Sequence, residues 1–222
     1  MDSLRRKSVS QRGSLSRQAV IEAGLAIVTS EGLARLTMRR LADHLSVEAM
    51  SLYNHVRDKH DLLDGIASLV LARIQPPDPA LPWATKLEAI FYDLYDALAA
   101  NPWLVAVLTS EGIEPTGEEV LAGIDIIIGI LEEAGLEPAQ RVNAFRGMLA
   151  LCFGLVMAHT LGLRSSPSDA LAHFAEWDPT RWRDAGPHLA ALAPQFLITK
   201  PGDDVRFMLD AYLAALGTLR KH

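Results

Sequence analysis

Four prolines stand within seven residues at 76–82, PPDPALP, and this run constrains the chain more than any other feature. Proline lacks a backbone N–H and its ring clashes with the preceding helical turn, so no helix crosses the segment. Elsewhere apolar residues recur with a period near 3.6, and strand-like alternation is nearly absent. The expectation is an all-α chain in two parts, residues 16–75 and residues 83–222, preceded by a flexible basic arm over residues 1–15. With 222 residues, half of them hydrophobic, there is ample material for a core.

The charge respects the same division. Residues 1–75 carry 11 Lys and Arg against 8 Asp and Glu, whereas residues 76–222 carry 10 against 19. A basic first part in a chain of net charge −6 suits a polyanion partner for that part alone. One cysteine, Cys152, excludes an internal disulfide and a multi-cysteine zinc site, and is compatible with a reducing cytoplasm. No signal peptide is visible at the N-terminus. The longest uncharged run, Gly147 to Leu163, has 17 residues and contains His159, which favours a buried helix over a membrane span.

In the first part Ser16 is expected to cap a helix that Gly32 stops, and Thr37 to cap a second one carrying Met38, Leu41, Ala42 and Leu45 on one face. A third short helix follows, with Ala49, Leu52, Tyr53 and Val56 together. Asp58 caps a fourth that runs to about Ile74, with Asp61 in its first turn. Helices of about eight residues are not stable alone in water. The second and third must lean on the first, joined by a tight turn, which is the helix-turn-helix arrangement.

The outer face of that unit has chemistry suited to DNA. Asn54 can pair two-fold with an adenine edge, and Met50 and Ser51 can touch a thymine methyl. Arg39 can reach a guanine or a phosphate. Thr37, Tyr53, His55, Lys59 and the start of the fourth helix suit phosphate oxygens. Spacing alone leaves a plain solvated face equally open. The run LTMRRLADHLSVEAMSLYNHVRDKHDLLDGI, however, resembles the DNA-binding domain of the TetR family of bacterial repressors. Thr37, Arg39, Leu41, Ala42, Leu45, Val47, Leu52, Tyr53, His55, Val56, Lys59, Leu62 and Leu63 stand at that family's characteristic positions. The Tyr-x-His-Val form, with Trp83 after the linker, resembles the tetracycline-repressor branch in particular. The match covers about residues 16–65 and implies a DNA-reading set of Thr37, Arg39, Ala49, Met50, Ser51, Tyr53, Asn54, His55 and Lys59. Three positions depart from the pattern: Ser46 replaces the usual turn glycine, Met50 a small residue or proline, and Asn54 an aromatic or arginine. They leave the fold alone and make the operator sequence hard to anticipate.

The resemblance further implies that residues 83–222 form a helical domain that dimerises and binds a small inducer. The segments 138–163 and 203–220 are apolar beyond one face, so each must be buried on most sides, within one chain or against a second copy. Interface candidates are Leu155, Leu163, Val205, Met208, Leu209, Tyr212 and Leu216. A dimer would place two recognition helices about 34 Å apart, matching a palindromic operator in double-stranded DNA. Pocket candidates are Trp83, Tyr92, Tyr95, Trp103, Ile124, Ile128, Phe145, Leu149, Phe153, Met157 and His159, with Trp177 and Trp182 from a Pro- and Trp-containing insert at 164–202. Core packing is the competing reading for each, and a satisfied buried histidine for His159.

Tetracycline repressors hold a magnesium–drug complex with a histidine on the helix after the first one of this domain. PWLVAVLTSEG, residues 102–112, has none, which points to another, fairly apolar ligand. No cofactor is expected. The seven histidines are scattered, and no Cys-His pair, Gly-rich phosphate loop or His-x-x-x-His pair supports an enzyme. A helical adaptor binding protein through the same face is the other rival. Arg5, Arg6, Lys7 and Arg12 would form an arm over phosphate or minor groove, or an idle tail.

Overall fold

The computed structural model describes residues 15–110, 116–160, 186–188, 190–191 and 202–219. The basic arm, Leu163, Trp177, Trp182 and most of the insert lie outside those residues. Every regular element among them is helical. The chain divides into two compact units, one of Met1–Arg73 with Ala106–Leu121, the other of Ile74–Val105 with Ala122–His222.

In the first unit α1 spans Arg17–Glu31, capped by the Ser16 hydroxyl, which accepts from the Ala19 N–H at 3.2 Å. Gly32, at φ 89°, ends it in a conformation that glycine adopts without penalty. A 3₁₀ turn, Leu33–Arg35, leads to the fully buried Leu36. Helix α2 (Met38–Leu45) begins with Thr37 accepting from the Arg40 N–H at 3.0 Å and buries Leu41 and Ala42. Ser46 then takes the left-handed conformation, φ 55° and ψ 43°. The Val47 N–H donates to the Ala42 carbonyl and the Ser46 N–H to the Asp43 carbonyl. This pair of bonds is the left-handed helix ending usually built on glycine.

Helix α3 is shorter than the periodicity suggests. Only Ala49–Leu52 is α-helical, and residues 53–55 form turns closed by the His55 and Val56 N–H groups donating to the Leu52 carbonyl. Leu52 and Val56 are buried, but Ala49 and Tyr53, expected beside them, are exposed. The reason is geometric: with two buried anchors four residues apart, one turn suffices to close the unit. Helix α4 (Lys59–Leu71) starts with Asp58 accepting from the Asp61 N–H at 2.8 Å. It stops three residues short of Ile74, in a turn ahead of Pro76. It packs on α1. A Cβ added at Gly65 would meet Ile21 Cδ1 at 2.6 Å, so the two helices approach where a side chain is missing.

In the second unit α5 (Trp83–Ala100) buries Leu87, Ile90, Phe91, Leu94 and Leu98. It packs on α8 (Pro138–Thr160), which also contacts α9 (Asp203–Thr218). Between them in sequence lie α6 (Pro102–Ser110) and α7 (Glu118–Glu133). The ammonium of the buried Lys86 meets Glu133 at 2.7 Å, tying α5 to the end of α7. Helix α8 buries a single stripe, Ala144, Met148, Cys152, Leu155 and Val156. By length and composition it could cross a membrane, a test that core helices commonly pass. Of its other apolar side chains, Val142 and Met157 are exposed and Phe145, Leu149, Leu151 and Phe153 half-buried, so burial on most sides is not achieved by α5 and α9. Burial pushes the Cys152 thiol up to about 12, so it stays protonated at neutral pH.

Candidate nucleic-acid interface

The residues expected to read DNA share the first unit and most of them face outward. Met50 is 73% exposed and Tyr53 46%, and Arg39, Ala49, Asn54 and Lys59 are exposed as well. Ser51 and His55 are half-buried. A methionine open to that degree has no packing role, which makes the tip of α3 an apolar point inside a polar face. Thr37 is exposed, and its oxygen serves as the α2 cap while its own O–H remains a donor. Neighbouring Arg40 points elsewhere: its guanidinium grips Glu31 through bonds of 3.1 and 2.6 Å, fastening α2 to the end of α1.

Behind this face lies a cluster that sequence reasoning missed. Arg17, the first residue of α1, donates from Nη1 to the His55 carbonyl at 2.9 Å. The same guanidinium meets Asp61 at 2.7 and 3.1 Å. Asp61 also accepts from the Arg57 N–H at 2.8 Å. The Arg17 bond and the Arg57 N–H hold the Asp61 carboxyl at about 2, well below the usual 3.8, although burial acts the other way. From sequence, Asp61 reads only as an acidic residue in the first turn of a helix. Nothing in the spacing pairs it with a residue 44 positions away.

Of the pocket candidates, Trp83, Tyr92, Tyr95, Trp103, Ile124, Ile128, Phe145, Leu149 and Phe153 are half-buried and Met157 is exposed. His159 has both ring nitrogens engaged. The Asp204 carboxylate can only accept, so Nε2 carries the proton and donates to it at 3.0 Å. In the neutral ring that leaves Nδ1 to accept from the Tyr95 hydroxyl. His159 thus has both ring nitrogens satisfied and joins α5, α8 and α9. No cluster of three or more His, Cys, Asp or Glu suited to a metal exists among the described residues.

Of the interface candidates, Leu155, Val205, Leu209 and Leu216 are buried within the second unit itself. Tyr212 is half-buried, and its hydroxyl donates to the Ala144 carbonyl. Met208 remains 42% exposed, beside Phe207, at 70%, which was not among the interface candidates.

No family model matches the chain. It is similar to the HTH-type transcriptional repressor DrrR1 of Streptomyces coeruleorubidus, 34% identical over 149 residues, which are 64% of this chain and 53% of that one. The chain thus spans about half that relative's length. It is also similar to the class A tetracycline repressor of transposon 1721 from Escherichia coli, 29% identical over 151 residues, 67% of this chain and 68% of that one. Among solved structures, the TetR family protein ActR of Streptomyces coelicolor in complex with actinorhodin gives a TM-score of 0.76 at 22% identity, covering 92% of this chain and 97% of that one. BioQ with its double-stranded DNA operator gives 0.61 at 22%, covering 91% and 98%. At such identities these two structures speak for the fold alone.

Proposed function

We propose, from its likeness to curated HTH-type and tetracycline repressors, that the chain is a TetR-family transcriptional regulator: a homodimeric, cytoplasmic repressor that releases a palindromic operator when a small, fairly apolar molecule binds its second unit. The observation that carries this reading is the exposed face of α2, α3, the turn after it and the start of α4, where Arg39, Met50, Tyr53, Asn54 and Lys59 project from the first unit. Such a face suits a partner with a groove and phosphates. A helix tip seats in the major groove, where base edges are distinguishable. BioQ, solved on its operator, and ActR, solved with actinorhodin, lend the reading support by analogy of fold.

Release requires the ligand to favour one arrangement of the recognition helices over another, with a coupling of about 1–3 kcal/mol in typical cases. Helix α4 is not the sole covalent route for it. It lies wholly in the first unit, whereas α6 and α7 each have residues in both. The segment opening α7 is bonded to α4 through Thr116 and Gly117. A ligand-induced shift would therefore act on α4 through that contact as well as through the linker.

The direct test is selection of bound sequences from random double-stranded DNA by the purified protein. A palindrome with half-sites about one helical turn apart is the expected result. Recovery of no enriched sequence at low salt sinks the proposal. An enzyme or adaptor of pI ≈ 5.6 gives that outcome.

A further inference from the structure

We infer that Arg17 is a positioning residue for operator reading: it fixes the recognition turn by holding the His55 carbonyl while Asp61 holds Arg17. The inference rests on the DNA-binding reading above and goes beyond the residues that face the groove.

A four-residue helix cannot persist by its own hydrogen bonds. Its entry is fixed by the left-handed turn at Ser46, and its last residue, Leu52, is buried. Its exit is the weak point, because carbonyls at a helix C-terminus have no partner within the helix. At that exit Tyr53, Asn54 and His55 lie in turn conformations. The His55 carbonyl is the group that Arg17 Nη1 takes, at 2.9 Å.

Arg17 is itself well anchored. It opens α1, just after the Ser16 cap. Its two-pronged bond to Asp61 fixes the guanidinium plane, and the Asp61 side chain is only 7% exposed. Asp61 is held in turn by the Arg57 N–H and by its own N–H on Asp58. The start of α1, the exit of α3 and the start of α4 therefore meet on one guanidinium. Lysine carries the same charge but has no planar fork, so it cannot reproduce this set of bonds.

Arg17 is 45% exposed, so a direct phosphate contact is the competing role. Salt separates the two. Each phosphate neutralised contributes about 0.9 to the slope of log affinity against log salt. A positioning residue leaves the slope alone and lowers the discrimination between the operator and random DNA.

The experiment uses the full chain and the operator that the wild-type protein selects. Affinities for operator and random DNA are measured across a salt series for wild type, R17K, R17Q, D61N and R17Q/D61N, with the folded fraction followed by circular dichroism. The expected result is a loss of about tenfold on the operator, little change on random DNA and an unchanged slope. R17K should behave like R17Q and carries the test if R17Q does not fold. The double variant should be no worse than the worse single one. Wild-type operator affinity in both R17K and R17Q overturns the inference. So does a slope reduced by about 0.9 with equal losses on both DNAs, the mark of a phosphate contact. Losses that track only the folded fraction, with the operator preference kept, also overturn it. If the wild type selects no sequence at all, the DNA-binding reading fails first, visibly and without any substitution.

Discussion

Asp64 on α4 accepts two hydrogen bonds from Thr116, one from its backbone N–H at 3.0 Å and one from its hydroxyl at 3.1 Å. One helical turn on, Ser68 accepts from the Gly117 N–H at 3.2 Å. A residue pair 52 positions apart thus brings the opening of α7 onto α4, within the first unit.

Gly117→Ala should destabilise this unit, against the usual direction of a glycine-to-alanine change near a helix start. The added Cβ would meet Ser68 Cβ at 2.8 Å and its hydroxyl at 2.9 Å, and neither atom is the far end of a flexible chain. About 1–2 kcal/mol is expected, since overcrowding forces backbone shifts. Urea unfolding measures it. In a cycle with Asp64→Ala and Thr116→Val, the pair should couple by about 0.5 kcal/mol or more. A stabilising Gly117→Ala would mean the contact yields freely.

The first unit's helices, caps and stops follow from Ser16, Gly32, Thr37 and Asp58, because capping is local chemistry written within three residues. The link between Asp64 and Thr116 has no such local sign, and neither has that between Arg17 and Asp61. Both arise from packing that brings distant segments together. The same limit explains the interface. Apolar periodicity on α9 marks Val205, Leu209 and Leu216 as buried, but does not say whether a core or a second chain buries them. Phe207 makes the helix apolar beyond that stripe, and periodicity does not say that it stays exposed in the single chain.

Stability should fall in acid partly through Asp61. Its folded carboxyl titrates near 2 against 3.8 ordinarily, so the folded state favours the ionised form. That contribution is fully present above about pH 4 to 5 and is lost as pH falls through 2. It amounts to at most about 2 kcal/mol, less in practice because Arg17 is partly solvated. Urea midpoints taken between pH 6 and 2 should fall more steeply for wild type than for Asp61→Asn. Parallel curves would show that the carboxylate gains nothing from Arg17.

Ser46→Gly should stabilise the protein by about 0.5–1 kcal/mol. Ser46 sits at φ 55°, where a side chain crowds the backbone and glycine does not. The greater freedom of glycine in the unfolded chain offsets part of the gain. Thermal melting checks the sign, and operator affinity should stay within about twofold, since Ser46 only shapes the turn.

On the reading face, Lys59→Ala should weaken binding to every DNA and lower the salt slope by about 0.9. Tyr53→Phe should also weaken binding without regard to sequence, through loss of a hydroxyl bond to phosphate. Asn54→Ala should instead change which base is preferred at one operator position, by about 1–3 kcal/mol. Repeating the sequence selection with each variant separates the roles. An unchanged preference with Asn54→Ala would remove Asn54 from base reading.

Phe207→Asp should yield a monomer. The ring is 70% exposed on α9, next to Met208 at 42%, although this helix already seals Val205, Leu209 and Leu216 into its own unit. An aromatic ring left in water in this way forgoes roughly 1.5–3 kcal/mol of burial, which a second chain would recover twice across a two-fold axis. A buried aspartate on each side reverses the sign, since unpaired carboxylates resist desolvation. Sedimentation equilibrium should show a dimer for wild type and a monomer for Phe207→Asp, with the helical content kept. Affinity for the full palindrome should drop far more than affinity for an isolated half-site, because one recognition turn then acts alone. A Phe207→Asp dimer as tight as wild type would place the interface elsewhere on the second unit.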